Sequence, residues 1–285
     1  MTANRIGKDG ADVRAIHVLR THRGNDTVRL ATFEVLTMAL SALEWRAHNG
    51  PVTLVTDTVG ASWVREHHLE CVWSDVDESL TAMAEAPIDE VVYWAAGKLF
   101  ALRRQTTPCV LLDLDFIVWH PMDFTRYGTG VAAIHSEDLQ PHLYPPPETF
   151  RLQDGYALLD GLDEAVRPIN GALVYHGDAG FAQRYAQAAI DFMEHTAPGD
   201  GDNLPYMLFA EQRLLPMLAA KEGRPVYEIA PLHELFGKQK TFTHVWGYKD
   251  TLRRDEKARN VFTEKLRQRL KRDFPEAAAC IEKGW

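Results

Sequence analysis

Two aspartates, Asp113 and Asp115, stand at the end of an apolar run in the segment Val-Leu-Leu-Asp-Leu-Asp-Phe-Ile-Val, residues 110–118. Because side chains alternate along an extended strand, residues two apart face the same side, and both carboxylates can converge on one cation. Open α/β sheets bind ligands at the carboxyl ends of their strands. Carboxylate oxygens suit Mg²⁺ or Mn²⁺. The pair therefore predicts a divalent-cation site at the end of a buried strand.

Other interpretations of the same pair remain open. A D-x-D pair also occurs where a strand simply ends in a turn, although two carboxylates beside a buried run are costly to dehydrate without a counter-charge. Asp113 and Asp115 also resemble the first motif of haloacid dehalogenase-type phosphohydrolases, where the first aspartate is a nucleophile. That motif normally opens its domain, whereas here strands and helices come first. The acidic segment 199–203 would be the late motif of such an enzyme, but no apolar strand leads into it.

The elements that must position the acidic pair alternate between strand and helix along the first half of the chain. Strands are predicted at 13–19, 52–56, 70–73, 109–113, 130–134 and 172–175. Helices are predicted at 27–47 with Asp26 as N-cap, and at 62–68, 89–104, 179–195 and 205–219. This alternation with short connections indicates a mainly parallel α/β sheet. The four prolines of 141–147 predict an irregular loop.

Four segments, in this order, resemble the motifs of GT-A glycosyltransferases. Lys98 precedes the apolar strand and the acidic pair, and a strand containing Asn170 follows them. The pair Glu211-Gln212 comes next, and His244 then opens a late His-x-x-Gly motif. The likeness is closest to the retaining family 8, which includes glycogenin and bacterial galactosyltransferases. It implies a single Rossmann-like GT-A domain, in which flanking helices cover a mainly parallel mixed sheet.

The resemblance also implies how the chain is divided. Residues 11–250 would form the glycosyltransferase domain, with a nucleotide-binding half at about 11–120 and an acceptor half at about 121–250. Residues 251–285 would form an amphipathic helical tail, because Phe262, Leu266 and Leu270 share one stripe of a helix. A contact of this basic tail with a membrane surface is the alternative to packing on the domain.

The implied activity is transfer of a sugar from a nucleotide-diphosphate sugar, with UDP favoured, to an unidentified glycan, protein or small-molecule acceptor. Retention of configuration is implied by the family alone. The resemblance assigns Mn²⁺ or Mg²⁺ to Asp113, Asp115 and His244, where the cation would neutralise charge on the leaving diphosphate. The implied nucleotide contacts are Arg20, Thr21, Thr56, Asp57, Lys98, Leu114, Gly247 and Lys249.

Asn170, Glu211 and Gln212 are implied at the donor sugar and the acceptor, with Glu211 or Gln212 stabilising a cationic transition state. Glu211 has a simpler alternative, as an acid that complements a helix dipole. His244 could likewise be an ordinary buried histidine beside Trp246. The chain as a whole could be a sugar-nucleotide-binding relative without catalysis. Tyr144, Tyr156 and Trp246 are candidates for stacking on a sugar ring.

Composition sets the wider limits. The 31 basic and 40 acidic residues give a net charge of −9, which argues against a nucleic-acid partner. The sequence has no apolar run long enough for a transmembrane anchor, and its polar first ten residues lack the core of a secretory signal. The three widely spaced cysteines suggest neither a disulfide framework nor a zinc site. A cytoplasmic location is expected from these features.

Overall fold

A mixed sheet of seven strands lies at the centre of the computed structural model, which describes residues 12–21, 27–199, 201–235 and 237–284. The strand order is β3-β2-β1-β4-β7-β6-β8. In chain order these are β1 (Arg14–Leu19), β2 (Val52–Thr56), β3 (Asp75–Asp77), β4 (Cys109–Leu112), β6 (Val131–Ala133), β7 (Leu173–His176) and β8 (Val226–Glu228). The two remaining strands, β5 (Phe116–Val118) and β9 (Phe242–His244), form a separate antiparallel ribbon.

Parallel pairing dominates the large sheet. Strands β3, β2, β1 and β4 run parallel, β7 is antiparallel to both β4 and β6, and β8 is parallel to β6. The prediction of a mainly parallel α/β sheet with flanking helices is confirmed. The carboxyl ends of β1, β2, β4 and β6 consequently meet at one edge of the sheet.

Helices cover both faces, which explains the continuous apolar sequence of the central strands. Val110 and Leu112 of β4 pack on the side of α1 (Thr32–His48), while Cys109 and Leu111 pack on the side of α3 (Ala96–Arg103) and α4 (Ala179–Glu194). All four residues of β4 are buried. The strand that leads to the acidic pair is therefore held between two cores.

Several predicted boundaries are wrong. Helix α1 begins at Thr32 rather than 27, because the Glu34 carboxylate accepts a hydrogen bond from the amide of Ala31 at 2.9 Å and defines the first turn there. Helix α2 (Thr58–Glu66) begins before the predicted 62, because Asp57 caps it through the amide of Gly60. The proposed cap Asp26, like Asp200 and residues 1–11, lies outside the described residues.

The region between β2 and β4 also differs from its prediction. The strand expected at 70–73 is a 3-10 turn at Glu70–Val72, and β3 follows it. The helix expected from 89 begins at 96. The side chain of Asp89 accepts hydrogen bonds from the amides of Val91 and Val92, at 2.9 and 3.3 Å, and holds residues 89–92 in a turn. Asp and Asn favour such turns over helix interiors.

The helix predicted at 205–219 is interrupted. It consists of α5 (Leu204–Leu208), a π-helical turn at Phe209–Arg213 and α6 (Leu214–Lys221). A π-helical turn places its carbonyls out of register with the usual backbone partners. Here the Tyr185 hydroxyl donates to the carbonyls of Ala210 and Glu211, at 3.0 and 2.8 Å.

After the short helix α7 (Leu232–Leu235), the chain ends in α8 (Lys249–Arg254), α9 (Glu256–Asp273) and α10 (Pro275–Ile281). Helix α9 packs against α1 and buries Leu266 and Leu270 in the same core as β4. The apolar stripe of the predicted tail therefore faces the domain. Within the described ranges, no helix has the length and apolarity needed to span a membrane.

The packing of α9 leads to a stability prediction. Leu270→Ala should lower the free energy of unfolding by about 2–4 kcal/mol, because it leaves a cavity in the shared core. Val261→Ala, at a half-exposed position on the same helix, is the control and should change it by less than about 1 kcal/mol. Chemical denaturation measures both. Equal, small effects would show that α9 is not part of the cooperative core.

Candidate functional site

The acidic pair lies in the tight turn that joins β4 to β5. The amide of Phe116 donates to the carbonyl of Asp113 at 3.0 Å, and the amide of Asp113 donates to the carbonyl of Ala172 at 2.8 Å. His244 ends β9 and lies directly opposite Phe116 in the β5–β9 ribbon. Asp113, Asp115 and His244 each offer one ligand atom, and these atoms all lie within 4.8 Å of one another. The structure thus brings together the three residues expected to hold a cation.

Two atoms of this cluster are buried without a hydrogen-bond partner. They are Oδ2 of Asp115 and Nε2 of His244, which lie 3.8 Å apart. Lys249 Nζ lies 2.9 Å from the same oxygen, as an ion pair without hydrogen-bond geometry. Buried polar atoms without a hydrogen bond cost free energy unless another group satisfies them. A divalent cation would satisfy both, so the residues present fit such an ion.

Burial also fixes the protonation of the cluster. It lowers the pKa of His244 to about 4. The negative charge of Asp115 raises this pKa, and the positive charge of Lys249 lowers it further. The ring is therefore neutral at neutral pH, the form that can bind a metal. Burial raises the pKa of Asp113 to about 6, although Lys98 opposes the change. Asp113 is mostly ionised at pH 7 and protonated at pH 5.

Lys98 of α3 connects the cation cluster to the π-helical turn. Its Nζ contacts a carboxylate oxygen of Asp113, lies 2.6 Å from Oε1 of Glu211, and donates to the carbonyl of Gly171 at 3.3 Å. Burial alone would lower the pKa of Lys98, but the two carboxylates raise it above its ordinary value. Lys98 was expected to contact a diphosphate. That contact stays a prediction; in this structure the ammonium group of Lys98 lies between Asp113 and Glu211.

The space for the Glu211 side chain depends on a glycine. A Cβ atom on Gly171 would lie 2.7 Å from Oε1 of Glu211. The neighbouring Gln212 is engaged differently, because its Oε1 accepts from the Tyr144 hydroxyl at 2.8 Å and its carbonyl from the amide of Ile169 at 2.9 Å. Of the two residues of the pair, Glu211 is the one whose side chain joins the cation cluster through Lys98.

The side chain of Asn170 is held by two hydrogen bonds in the loop before β7. Its Oδ1 accepts from the amide of Ala172 at 3.1 Å, and its Nδ2 donates to Glu137 at 3.0 Å. Glu137 lies 3.7 Å from Nδ1 of His135. Sequence reasoning missed Glu137 and His135. Both follow β6, which runs parallel to β4, so its carboxyl end was the available signal.

A second polar cluster lies at the ends of β1 and β2. Oδ2 of Asp57 accepts from Arg20 Nη1 at 2.5 Å and from the amide of Thr21 at 2.7 Å. Arg20 also pairs with Glu90 at 2.9 Å, and the Thr56 hydroxyl donates to the carbonyl of Leu19. The carboxylate of Asp57 is thus already occupied. Among the described residues of this cluster, the Thr21 hydroxyl and Arg20 Nε are buried without a hydrogen-bond partner.

Helix α3 brings the two clusters near each other. A Cβ atom on Gly97 would lie 3.1 Å from Val18 and 3.4 Å from the side chain of Arg20, so this glycine allows α3 to pack closely on the end of β1. The next residue, Lys98, reaches the acidic pair. One helix therefore contacts both the cluster at the end of β1 and the cluster at the end of β4.

The remaining predicted residues differ in exposure and in what they contact. Leu114 is half-buried in the turn between the two aspartates, and Gly247 is exposed in a 3-10 turn at Trp246–Tyr248. Trp246 is 75% exposed, and its ring centroid lies 6.3 Å from that of His244. Tyr144 is buried against Gln212, and Tyr156 stacks on His195.

The close approach of Gly171 to Glu211 can be tested. Gly171→Ala should lower the free energy of unfolding by about 1–3 kcal/mol, because the added methyl group displaces Glu211 from Lys98 in a packed environment. Gly247→Ala is the control, since a Cβ there meets no atom within 4 Å. Thermal unfolding compares the two variants. Equal stability would mean that Glu211 can move away without loss.

The sequence model of one family, described as a family of unknown function (DUF6734), matches residues 28–283. No curated protein sequence matches the chain.

Three similar solved structures are described as glycosyltransferases. PaToxG glycosyltransferase is 10% identical, with a TM-score of 0.40, over 74% of this chain and 69% of its own. The WbbM bifunctional glycosyltransferase is 12% identical, with a TM-score of 0.43, over 78% of this chain but only 39% of its own. Mouse xyloside xylosyltransferase 1 is 10% identical, with a TM-score of 0.39, over 76% of this chain and 85% of its own.

Proposed function

This chain belongs to the DUF6734 family, whose function is unknown, and we propose that it is a metal-dependent glycosyltransferase that uses a nucleotide-diphosphate sugar, with a UDP-sugar favoured. The observation that carries the proposal is the pair of buried polar atoms without a hydrogen bond, Asp115 Oδ2 and His244 Nε2, beside Asp113. Mn²⁺ or Mg²⁺ held there would stabilise negative charge on a leaving diphosphate.

The charges around the cluster suit this ligand. Asp113, Asp115 and Glu211 supply three carboxylates, while Lys98 and Lys249 supply two ammonium groups, so the group carries one net negative charge. A divalent cation makes the site positive, as binding of a diphosphate requires. Lys249 stands at the rim, 29% exposed, where it can leave Asp115 for a phosphate oxygen.

The residues at the sugar have roles in the same proposal. Glu211, held by Lys98, places a carboxylate near the anomeric carbon, where positive charge develops during transfer. Asn170 and Gln212 line the side of the acceptor, each held by its own hydrogen bonds. Retention of configuration would follow if Glu211 lies on the face opposite the leaving group.

The base and ribose of the nucleotide are assigned to the cluster at the ends of β1 and β2. The unpartnered Thr21 hydroxyl and Arg20 Nε are available to hydroxyl or carbonyl oxygens of a ligand. Thr56 and Asp57 act indirectly, because their polar atoms hold Leu19, Arg20 and Thr21 in place. The exposed Trp246 is proposed to stack on a sugar of the acceptor.

Ligand-dependent stability tests the proposal. UDP or GDP at saturation should raise the melting temperature by about 5 °C only when Mn²⁺ is present, because a ligand that binds the folded state stabilises it. Asp115→Asn should lose this shift. Asp250→Asn, which removes a 74% exposed carboxylate near the site, should keep it.

The same samples separate the alternatives. A shift with nucleotide alone, without any effect of Mn²⁺, would contradict the metal-dependent mechanism. No shift in any condition, combined with Mg²⁺-dependent hydrolysis of a generic phosphate ester, would favour the phosphohydrolase. Binding without sugar transfer or donor hydrolysis, with a panel of UDP-sugars and simple glycoside acceptors, would indicate a relative that binds only.

The raised pKa of Asp113 predicts how metal binding depends on pH. The affinity for Mn²⁺ should fall about tenfold per pH unit below about 6, because the cation must displace a proton from this carboxylate. His244 adds nothing above about pH 4. Titration calorimetry between pH 5 and 7.5 measures the slope. If the affinity for Mn²⁺ does not change over this pH range, Asp113 is not a ligand.

A further inference from the structure

A chain of hydrogen bonds runs through the core to the residue after Asp115. Nε1 of Trp73 donates to Nδ1 of His17 at 3.2 Å, Nε2 of His17 lies 3.2 Å from Oγ of Ser41, and Oγ of Ser41 donates to the carbonyl of Phe116 at 2.6 Å. All four residues are buried, and His17 and Ser41 are completely so. None of them can contact a substrate.

The direction of every bond in this chain is fixed. An indole N–H only donates, so Nδ1 of His17 is the acceptor, and a neutral ring then carries its proton on Nε2. That proton is donated to Ser41, whose own hydroxyl proton goes to the carbonyl of Phe116. Burial lowers the pKa of His17 to about 3, although Asp115 opposes it, and the ring is therefore neutral.

The carbonyl of Phe116 depends on Ser41 because of the strand register. The amide of Val245 donates to the carbonyl of Asp115 at 3.1 Å, and the amide of Trp119 donates to the carbonyl of Thr241 at 2.9 Å. Alternate residues of β5 therefore bond to β9, and Phe116, opposite His244, belongs to a pair without hydrogen bonds between strands. Its carbonyl points away from β9 and towards α1, where the Ser41 hydroxyl donates a hydrogen bond to it.

Phe116 in turn sits between two of the proposed cation ligands. The Phe116 carbonyl belongs to the peptide group between Phe116 and Ile117, one Cα atom beyond the peptide bond that joins Asp115 to Phe116. The ring centroid of Phe116 lies 5.2 Å from that of His244. A displacement of this carbonyl would shift the Phe116 Cα atom, and with it the peptide bond to Asp115 and the ring that packs on His244. The position of this one carbonyl is thus linked to both buried acceptors of the site.

We propose that His17 and Ser41 are positioning residues, which hold Asp115 and His244 at the spacing a divalent cation requires by fixing the Phe116 carbonyl. The inference rests on the proposed function, because it assumes that the cluster binds a metal. Residues outside the ligand set that orient metal ligands typically change metal affinity 10–100-fold when they are replaced. His17 and Ser41 would belong to this class although neither contacts a ligand side chain.

Substitutions within and beside the chain test the proposal, with Mn²⁺ affinity measured by titration calorimetry. Ser41→Ala and His17→Leu should each weaken Mn²⁺ binding about tenfold or more. His17→Gln should restore most of the affinity, because a side-chain amide can accept from Trp73 and donate to Ser41. Thr37→Val is the control. Thr37 is buried one turn earlier on α1, and its hydroxyl bonds only to the carbonyl of Phe33.

Thermal unfolding of each variant separates positioning from general stability. We expect Thr37→Val and Ser41→Ala to lose similar stability, while only Ser41→Ala loses Mn²⁺ affinity. Wild-type affinity in Ser41→Ala, or an equal loss in Thr37→Val, would overturn the inference and leave the proposed function intact. If Ser41→Ala does not fold, equal affinities of His17→Gln and His17→Leu would overturn it. A wild-type protein that binds no Mn²⁺ would instead refute the proposed function, and the inference with it.

Discussion

The structure depends on the electrostatic balance at the end of β4, where carboxylates meet in a poorly hydrated space. Asp113, Asp115 and Glu211 would repel one another there without counter-charges. Lys98 compensates two of them and Lys249 the third. Removing one partner of such a cluster leaves an uncompensated buried charge, which is far more costly than the net contribution of the intact pair.

Much of the local geometry serves this balance. The ribbon of β5 and β9 carries His244 back to the acidic pair, and the π-helical turn presents Glu211 to Lys98. Gly97 and Gly171 allow two close approaches, of α3 to β1 and of Glu211 to the loop before β7. These features lie on different elements, yet each places one charge or one ligand atom at the same edge of the sheet.

The sequence predicted the sheet class and the acidic pair because both depend on local patterns. Apolar runs such as that of β4 and the two-residue spacing of the aspartates are visible without a structure. Strands β3, β5, β8 and β9 were missed, because three residues are too few to show an alternating pattern. Their existence depends on pairing between distant segments, which local pattern does not reveal. Strand β6 is equally short, but it lies within the longer apolar run at 130–134 and was predicted.

The site shows the same division. His244 was placed correctly at the pair only through the order of motifs in a resemblance. The ion pairs of Lys98 with Asp113 and Glu211 join three segments that are distant in the sequence. The hydrogen bond from Asn170 to Glu137 likewise joins residues 33 positions apart, so local pattern does not reveal it. The start of α1 was misplaced because the polar residues before position 27 look like a helix start in the sequence. In the structure the Glu34 carboxylate bonds to the amide of Ala31 and sets the first turn there.

The pairing of β5 with β9 has a consequence for the order in which the molecule forms. Trp119 bonds to Thr243 across a sequence separation of 124 residues, and closing so long a loop carries a large entropic cost before any contact repays it. Contacts of high sequence separation slow folding. During synthesis both aspartates and the strands up to β7 are made well before His244. The cluster proposed to hold a cation is therefore complete only after β9 has been made and has paired with β5.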